Sequence, residues 1–163
     1  MVEYYEFLFS LGANDIRLIK ANTIITAPWI FYKCQYGCAQ YGKSVYCPPY
    51  SPGHKQTREI IDSYETAIIF RCNNIDSIPD IAVQAVTKLF SDGYHKALAF
   101  GNNACRIHGA CDSGESSPHQ AGIPSMAACG IDVFQTVRNN DFEISTLEDE
   151  GVTQNHFALL LVM

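Results

Sequence analysis

Apolar residues follow one another almost without interruption along two short segments of the chain, and this pattern predicts buried strands. The segments are residues 66–70 and 96–100. A strand that is covered on both faces has no need of polar positions, so its sequence does not alternate. Alternation over residues 16–20 and a last apolar stretch over 156–163 predict two further strands. The pattern therefore indicates a sheet of about four strands.

Helical periodicity is clearest over residues 78–92. Pro79 stands in the first turn and Gly93 comes directly after the last one, as is typical of helix ends. The apolar positions between them recur at helical spacing, so we expect one face of this helix to pack across the sheet. Shorter helices are predicted over residues 3–11, 55–64 and 125–138, the last with a break near Gly130.

Alternating helices and strands place the chain in the α/β class. We expect a single domain over residues 1–163, a sandwich with a mixed central sheet, flanking helices and two long cysteine-bearing loops. The chain has 163 residues, of which 47% are hydrophobic and 17% are charged, enough for one globular core.

The first cysteine-bearing segment carries Cys34, Cys38 and Cys47 within 14 residues. Pro48, Pro49 and several glycines indicate an irregular loop from about residue 27 to residue 53 rather than a helix. Three thiols on one such loop are the donors that a zinc ion or an iron–sulfur cluster needs. Inert buried thiols and a disulfide are the alternatives. Seven cysteines, an odd number, favour metal or redox use.

A second group of candidate ligands is found in the polar segment that follows residue 100. Cys105, His108 and Cys111 lie three residues apart, which would be a cluster-binding run if position 108 were Cys. Histidine ligates zinc readily and a cluster iron less often. Cys129 is either a further ligand or a core residue, and the pattern does not separate the two. We expect both cysteine loops to share one site.

The charge of the chain restricts its partners. The formal net charge is −6 and there is no run of Lys or Arg, so we expect no nucleic-acid partner. No apolar stretch reaches the roughly 18 residues of a membrane span, and the first residues lack the positive region of a secretory signal. We therefore expect a cytoplasmic protein with no membrane partner.

Several blocks of the sequence form a recognisable set. They read FYKCQYGC at 31–38, YGKSVYCPPYSP at 41–52, CRI at 105–107 and PSMAACGIDVF at 124–134. Together they resemble a cysteine-rich domain-of-unknown-function family that is labelled "predicted metal-binding protein" and is common in anaerobic bacteria and archaea. The resemblance implies an intracellular metal or iron–sulfur protein with Cys34, Cys38 and Cys47 as first-choice ligands. His108 and Ala127 depart from it, since the family usually has Cys and Glu there.

Two classes of function follow. In the first, Cys34, Cys38 and Cys47, with one of Cys105, Cys111 or Cys129, hold a 4Fe–4S cluster for a redox or accessory role, which implies a protein redox partner. In the second, the same thiols hold a structural zinc ion in an interaction module. A zinc hydrolase with an open coordination site that involves His108 or His119 is a weaker third hypothesis. The sequence identifies no catalytic residue.

Overall fold

The computed structural model describes residues 2–102, 123–145 and 156–163. The strands are β1 Asp15–Lys20, β2 Thr66–Cys72, β3 Leu98–Phe100 and β4 His156–Leu161. The helices are α1 Val2–Ser10, α2 Pro28–Gly37, α3 His54–Asp62, α4 Ile78–Ser91 and α5 Val133–Asn139. Short 3₁₀ helices cover Ala21–Thr23, Ile75–Ser77 and Ala127–Cys129. The α/β class is as predicted, and none of the helices just given is long and apolar enough to cross a bilayer.

The four strands form one open sheet in the order β1-β2-β4-β3. Phe70 of β2 lies opposite Ile16 on one side and Ala158 on the other, and every strand pairing between described residues is antiparallel. A mixed sheet, with parallel as well as antiparallel strand pairs, was expected, but the described strands form no parallel pair. The reason lies in the last strand. Helix α4 joins β2 to β3, which run in the same direction, but β4 lies between them and separates the parallel pair.

Both faces of the sheet are covered. Ile68 and Phe70 belong to the core layer formed with α1 and α4, whereas Ala67 and Ile69 belong to the layer that contains Ile61 of α3. Successive side chains of a strand point to opposite faces, so two covered faces require apolar residues at every position. This explains the unbroken apolar runs of β2 and β4.

Strand β3 differs from its prediction. Residues 96–100 were expected to form a buried strand, but only Leu98–Phe100 pair, and the side chain of Leu98 is 43% exposed. Among the strands that the structure describes, β3 lies at the edge of the sheet and has a single neighbour, β4. An edge strand has one side open to solvent, so its apolar residues need not all be buried.

The beginning of the first cysteine loop also differs. Residues 27–37 were expected to be irregular, but Pro28–Gly37 form helix α2. Pro28 occupies the start of the helix, where its missing N–H is not needed, and Gly37 is the last residue. Pro48 and Pro49 lie well beyond this end and do not interrupt the helix. The irregular part of the loop runs from Cys38 to Gly53.

Candidate metal centre

The end of α2 presents the first pair of thiols. Cys34 lies in the last turn of the helix and Cys38 is the residue that caps it, so the two side chains are one turn apart on the same side. The Cys38 N–H donates to the Cys34 carbonyl at 3.3 Å. Cys34 is half-buried and Cys38 is exposed. Burial and then the neighbouring Cys38 raise the pKa of the Cys34 thiol, so a nearby cation would be needed to hold it ionised.

These two cysteines line an open cavity of about 280 Å³ between α2, the 3₁₀ turn Ala127–Cys129 and the start of α5. Most of the wall is apolar, with Trp29 from α2 and Phe134 from α5. Lys33 is the cationic residue of the wall, and its ammonium lies 5.1 Å from the centre of the Trp29 ring. The cavity thus places two thiols beside a single positive side chain.

Cys47 lies in the irregular loop and is buried. The Cys47 N–H donates to the Ser44 carbonyl at 3.0 Å, and the Cys47 carbonyl accepts from the N–H groups of Tyr50 and Ser51. The Ser51 hydroxyl donates to the Ala128 carbonyl at 2.6 Å. This bond joins the loop of Cys47 to the 3₁₀ turn that carries Cys129, although the two are far apart in sequence.

Cys129 has a fully buried side chain and forms the second thiol pair with Cys47. Burial and, to a smaller extent, the Cys47 thiol raise the pKa of Cys129 to about 12. Two local features form the turn that holds it. The Ser125 hydroxyl accepts from the Ala128 N–H at 3.0 Å, and Gly130 ends the turn in the left-handed conformation with φ of +75°. The predicted break near Gly130 is confirmed.

Backbone bonds also fix the start of α2 beside this turn. The Ala27 N–H donates to the Gly130 carbonyl at 2.9 Å, and the Asp132 N–H donates to the Ile25 carbonyl at 2.8 Å. Thr26 and Ile131 form an isolated antiparallel bridge at the same place. The 3₁₀ turn is therefore the point at which α2 and the Cys47 loop both attach.

The structure brings the predicted ligands together in two pairs, Cys34 with Cys38 and Cys47 with Cys129. Across residues 2–102, 123–145 and 156–163, no three His, Cys, Asp or Glu side chains are close enough to hold one metal ion. The three sulfurs of the first loop are thus not gathered at one point, and their shared ligation stays a prediction. The donors nevertheless fit a metal, because thiolates are the ligands that zinc and iron–sulfur clusters select.

The second group of predicted ligands, Cys105, His108 and Cys111, lies outside the described residues. The chain that flanks this segment is described. The Gly101 N–H donates to the Pro124 carbonyl at 2.8 Å, and the Met126 N–H donates to the Gly101 carbonyl at 2.8 Å. Residues 102 and 123 are therefore held near each other, directly before the turn that carries Cys129.

Cys72 lies on the opposite side of the sheet, in the core layer formed with α1 and α4. It is fully buried, and burial raises the pKa of its thiol to about 11. The sequence analysis did not include it among the ligands, and its place in the core agrees with that choice.

Sequence reasoning named Cys34, Cys38 and Cys47 as one group and left Cys129 open, so it did not divide them into these two pairs. The three residues between Cys34 and Cys38 amount to one helical turn, and Pro28 marks a helix start, so this pair had a readable signal. The pairing of Cys47 with Cys129 had none, because it depends on a contact between distant segments.

An α/β protein with two pairs of thiols around one turn has the donor set of a metal-binding protein. The chain belongs to the family described as "Predicted metal-binding protein (DUF2284)", whose model matches residues 17–162. No curated protein and no solved structure matches the chain.

Proposed function

We propose that this protein holds an iron–sulfur cluster of the 4Fe–4S type for a redox or accessory role. Cys34, Cys38 and Cys47 are the first-choice ligands, and the fourth comes from Cys129 or from the second cysteine segment. The observation that carries the proposal is the placement of two thiol pairs around the 3₁₀ turn Ala127–Cys129. The membership in a family of predicted metal-binding proteins supports a bound metal.

The separation of the pairs favours a cluster over a single ion. A closed zinc site needs four sulfurs at about 2.3 Å from one ion, so all four must nearly touch. A cluster is larger, because its irons and sulfides lie between the ligand sulfurs. Thiols that stand in two groups around a turn therefore need less rearrangement to reach a cluster than to reach one ion.

Metal binding at the site would be coupled to the release of protons from the thiols. Burial raises the pKa of Cys34 and of Cys129, so without a metal these thiols stay protonated at neutral pH. A metal stabilises the thiolates and releases their protons, and the binding free energy then adds to the stability of the fold. Lys33, in the wall beside Cys34, lies where it can offset part of the negative charge of the ligands.

The second cysteine segment is within reach of this site. Residues 102 and 123 are held beside the turn that carries Cys129. Cys105 follows Asn102 by three residues, and three residues of extended chain span at most about 11 Å. Ligands from both segments can therefore contribute to one site without a change in the described sheet.

The test is the metal content of the protein purified without oxygen. We expect iron and acid-labile sulfide in equal amounts, broad visible absorption, and a paramagnetic signal after reduction. A colourless protein with one zinc ion per chain would replace the cluster with the second candidate, a structural zinc module, which the four thiol donors also suit. Protein that takes up neither metal on reconstitution would contradict both.

A further inference from the structure

Helix α2 carries an exposed aromatic ridge, formed by Trp29, Tyr32, Lys33 and Tyr36. These positions are three or four residues apart and so lie along one side of the helix. The side chains of Trp29, Tyr32 and Tyr36 are 47%, 67% and 71% exposed. The rings of Tyr32 and Tyr36 are in contact, with centroids 4.7 Å apart, and Lys33 lies over Trp29. Large exposed aromatic side chains in contact with one another are typical of interaction surfaces.

The ridge borders the proposed metal site. Trp29 and Lys33 belong to the wall of the cavity into which Cys34 and Cys38 open. A molecule that covers the ridge would therefore also cover the mouth of this cavity. The acidic residue of the wall is Asp132, whose carboxylate accepts from the Gln135 N–H at 2.9 Å.

The stretch of sequence that contains the ridge has the opposite charge to the rest of the sequence. Residues 16–58 contain six of the 11 Lys and Arg and none of the 17 Asp and Glu. The other residues of the sequence carry all 17 acidic side chains, including Asp132 in the cavity wall, together with five cations. Arg17 and Arg58 lie beside Asp15 and Asp62, which leaves the lysines as the cations that can attract a partner. Lys33, Lys43 and Lys55, from α2, the Cys47 loop and α3, are exposed. An acidic partner would be attracted to this region and repelled by the remaining surface.

We propose that the α2 ridge docks a small acidic electron-transfer protein. The inference rests on the proposed cluster for its redox role, but the docking itself rests on the ridge and on the charge around it. Docking there would bring the partner's redox centre against the cavity that holds Cys34 and Cys38. Aromatic rings provide the buried contact, and the lysines orient the partner and speed its association.

Other occupants fit the surface less well. A nucleic acid needs a long track of positive charge, and the acidic residues that begin at Glu59 limit the basic region to a small area. A second copy of this chain would offer an acidic surface to the ridge, but such head-to-tail contacts do not close into a dimer and tend to continue into chains. A small partner protein has the right size and charge for the ridge.

The test is calorimetric titration of the anaerobic protein with a small acidic ferredoxin, at low and at high salt. We expect binding that weakens strongly as salt increases, because the attraction is between exposed charges. Tyr32→Ala with Tyr36→Ala, and separately Lys33→Glu, should each weaken binding roughly tenfold. Electron transfer from the reduced ferredoxin to the bound cluster should slow by a similar factor.

The matched controls lie on other surfaces. Phe90 of α4 is 63% exposed on the opposite side of the sheet, so Phe90→Ala removes an exposed ring away from the ridge. Lys96, outside residues 16–58, is also exposed, so Lys96→Glu makes the same charge change away from α2. Both controls should leave the affinity within about twofold of the original protein.

Four results would overturn the proposal: no binding at low salt, equal loss in the controls, tighter binding of a single-stranded oligonucleotide, or self-association that involves the ridge. Its failure can be told from failure of the proposed function. Bound iron and sulfide without ferredoxin binding would retain the cluster and reject the docking surface. Bound zinc, together with ferredoxin binding that depends on the ridge, would reject the cluster and retain the docking surface.

Discussion

Gly130 lies directly against the first residue of α3. A Cβ atom added at Gly130 would lie 2.7 Å from the Cβ of His54 and 2.8 Å from its Cα. The backbone of Gly130 also has φ of +75°, a conformation that side chains disfavour. One glycine thus allows the turn that carries Cys129 to approach α3 and to end where it does.

We predict that Gly130→Ala destabilises the protein by roughly 2–4 kcal/mol, because left-handed strain adds to a clash with backbone that cannot turn away. Chemical denaturation of the metal-free protein measures this loss. Gly42→Ala is the control, since Gly42 has φ of +72° but nothing within 4 Å of the added atom. It should cost only about 1–2 kcal/mol, the strain alone. Equal losses in the two variants would show that the close contact has no effect.

Sequence patterns located the sheet because its central strands obey a local rule. Each residue of β2 and β4 faces one of two covered sides, so burial appears directly as an unbroken apolar run. Helix α4 was equally readable from Pro79, Gly93 and its period. Strand direction could not be predicted in this way. It depends on the insertion of β4 between β2 and β3, which is a contact between segments far apart in the sequence.

The site was less predictable than the sheet. The Cys, Gly and Tyr residues of α2 are weak helix formers, so its helix depends on packing against the 3₁₀ turn rather than on propensity. The pairing of Cys47 with Cys129 depends on the bond from Ser51 to the Ala128 carbonyl. Contacts of this kind join distant segments and leave no periodic trace in the sequence.

The bond between Ser51 and Ala128 can be tested without altering a ligand. Ser51→Ala leaves a buried carbonyl without its donor, which should cost about 1–3 kcal/mol. Because Cys47 is four residues away on the same loop, we also expect weaker metal retention when the protein competes with a chelator. Ser91→Ala is the control, since it removes a similar bond, to the Thr87 carbonyl at 2.9 Å, from an exposed position on α4. Unchanged chelator resistance in Ser51→Ala would mean that this bond does not position Cys47.

The burial of Cys72 predicts how stability depends on alkaline pH. Its pKa rises from 9.0 to about 11 on folding, so the folded state retains a proton that the unfolded state loses first. The stabilisation is complete below pH 9.0 and is lost as pH increases towards about 11. We expect the free energy of unfolding to fall by up to about 1.4 kcal/mol per pH unit in this range from this group.

Urea denaturation of the metal-free protein between about pH 8 and about pH 10.5 measures this slope. Cys72→Ala should be less stable throughout but should show a shallower slope, because one titrating thiol is gone. Tyr4 adds to the slope only at the upper end of this range. Burial raises its pKa to about 12, and its contribution to the pH dependence begins only above its ordinary value of 10.0. A slope that is the same in both proteins would contradict the contribution of Cys72.

The cysteines of the proposed site can be tested by replacement with serine, with a buried cysteine outside the site as the control. Cys129 and Cys72 are both fully buried, on opposite sides of the sheet, so replacement by Ser changes the same atom in similar surroundings. We expect Cys34→Ser, Cys38→Ser and Cys47→Ser each to lower metal affinity at least about tenfold, whereas Cys72→Ser should not. If Cys129 is the fourth ligand, Cys129→Ser will lower metal affinity as much as the replacements of Cys34, Cys38 and Cys47. Metal content and chelator competition, measured on protein whose fold is checked by circular dichroism, decide this. Bound metal that survives all three replacements unchanged would reject the site.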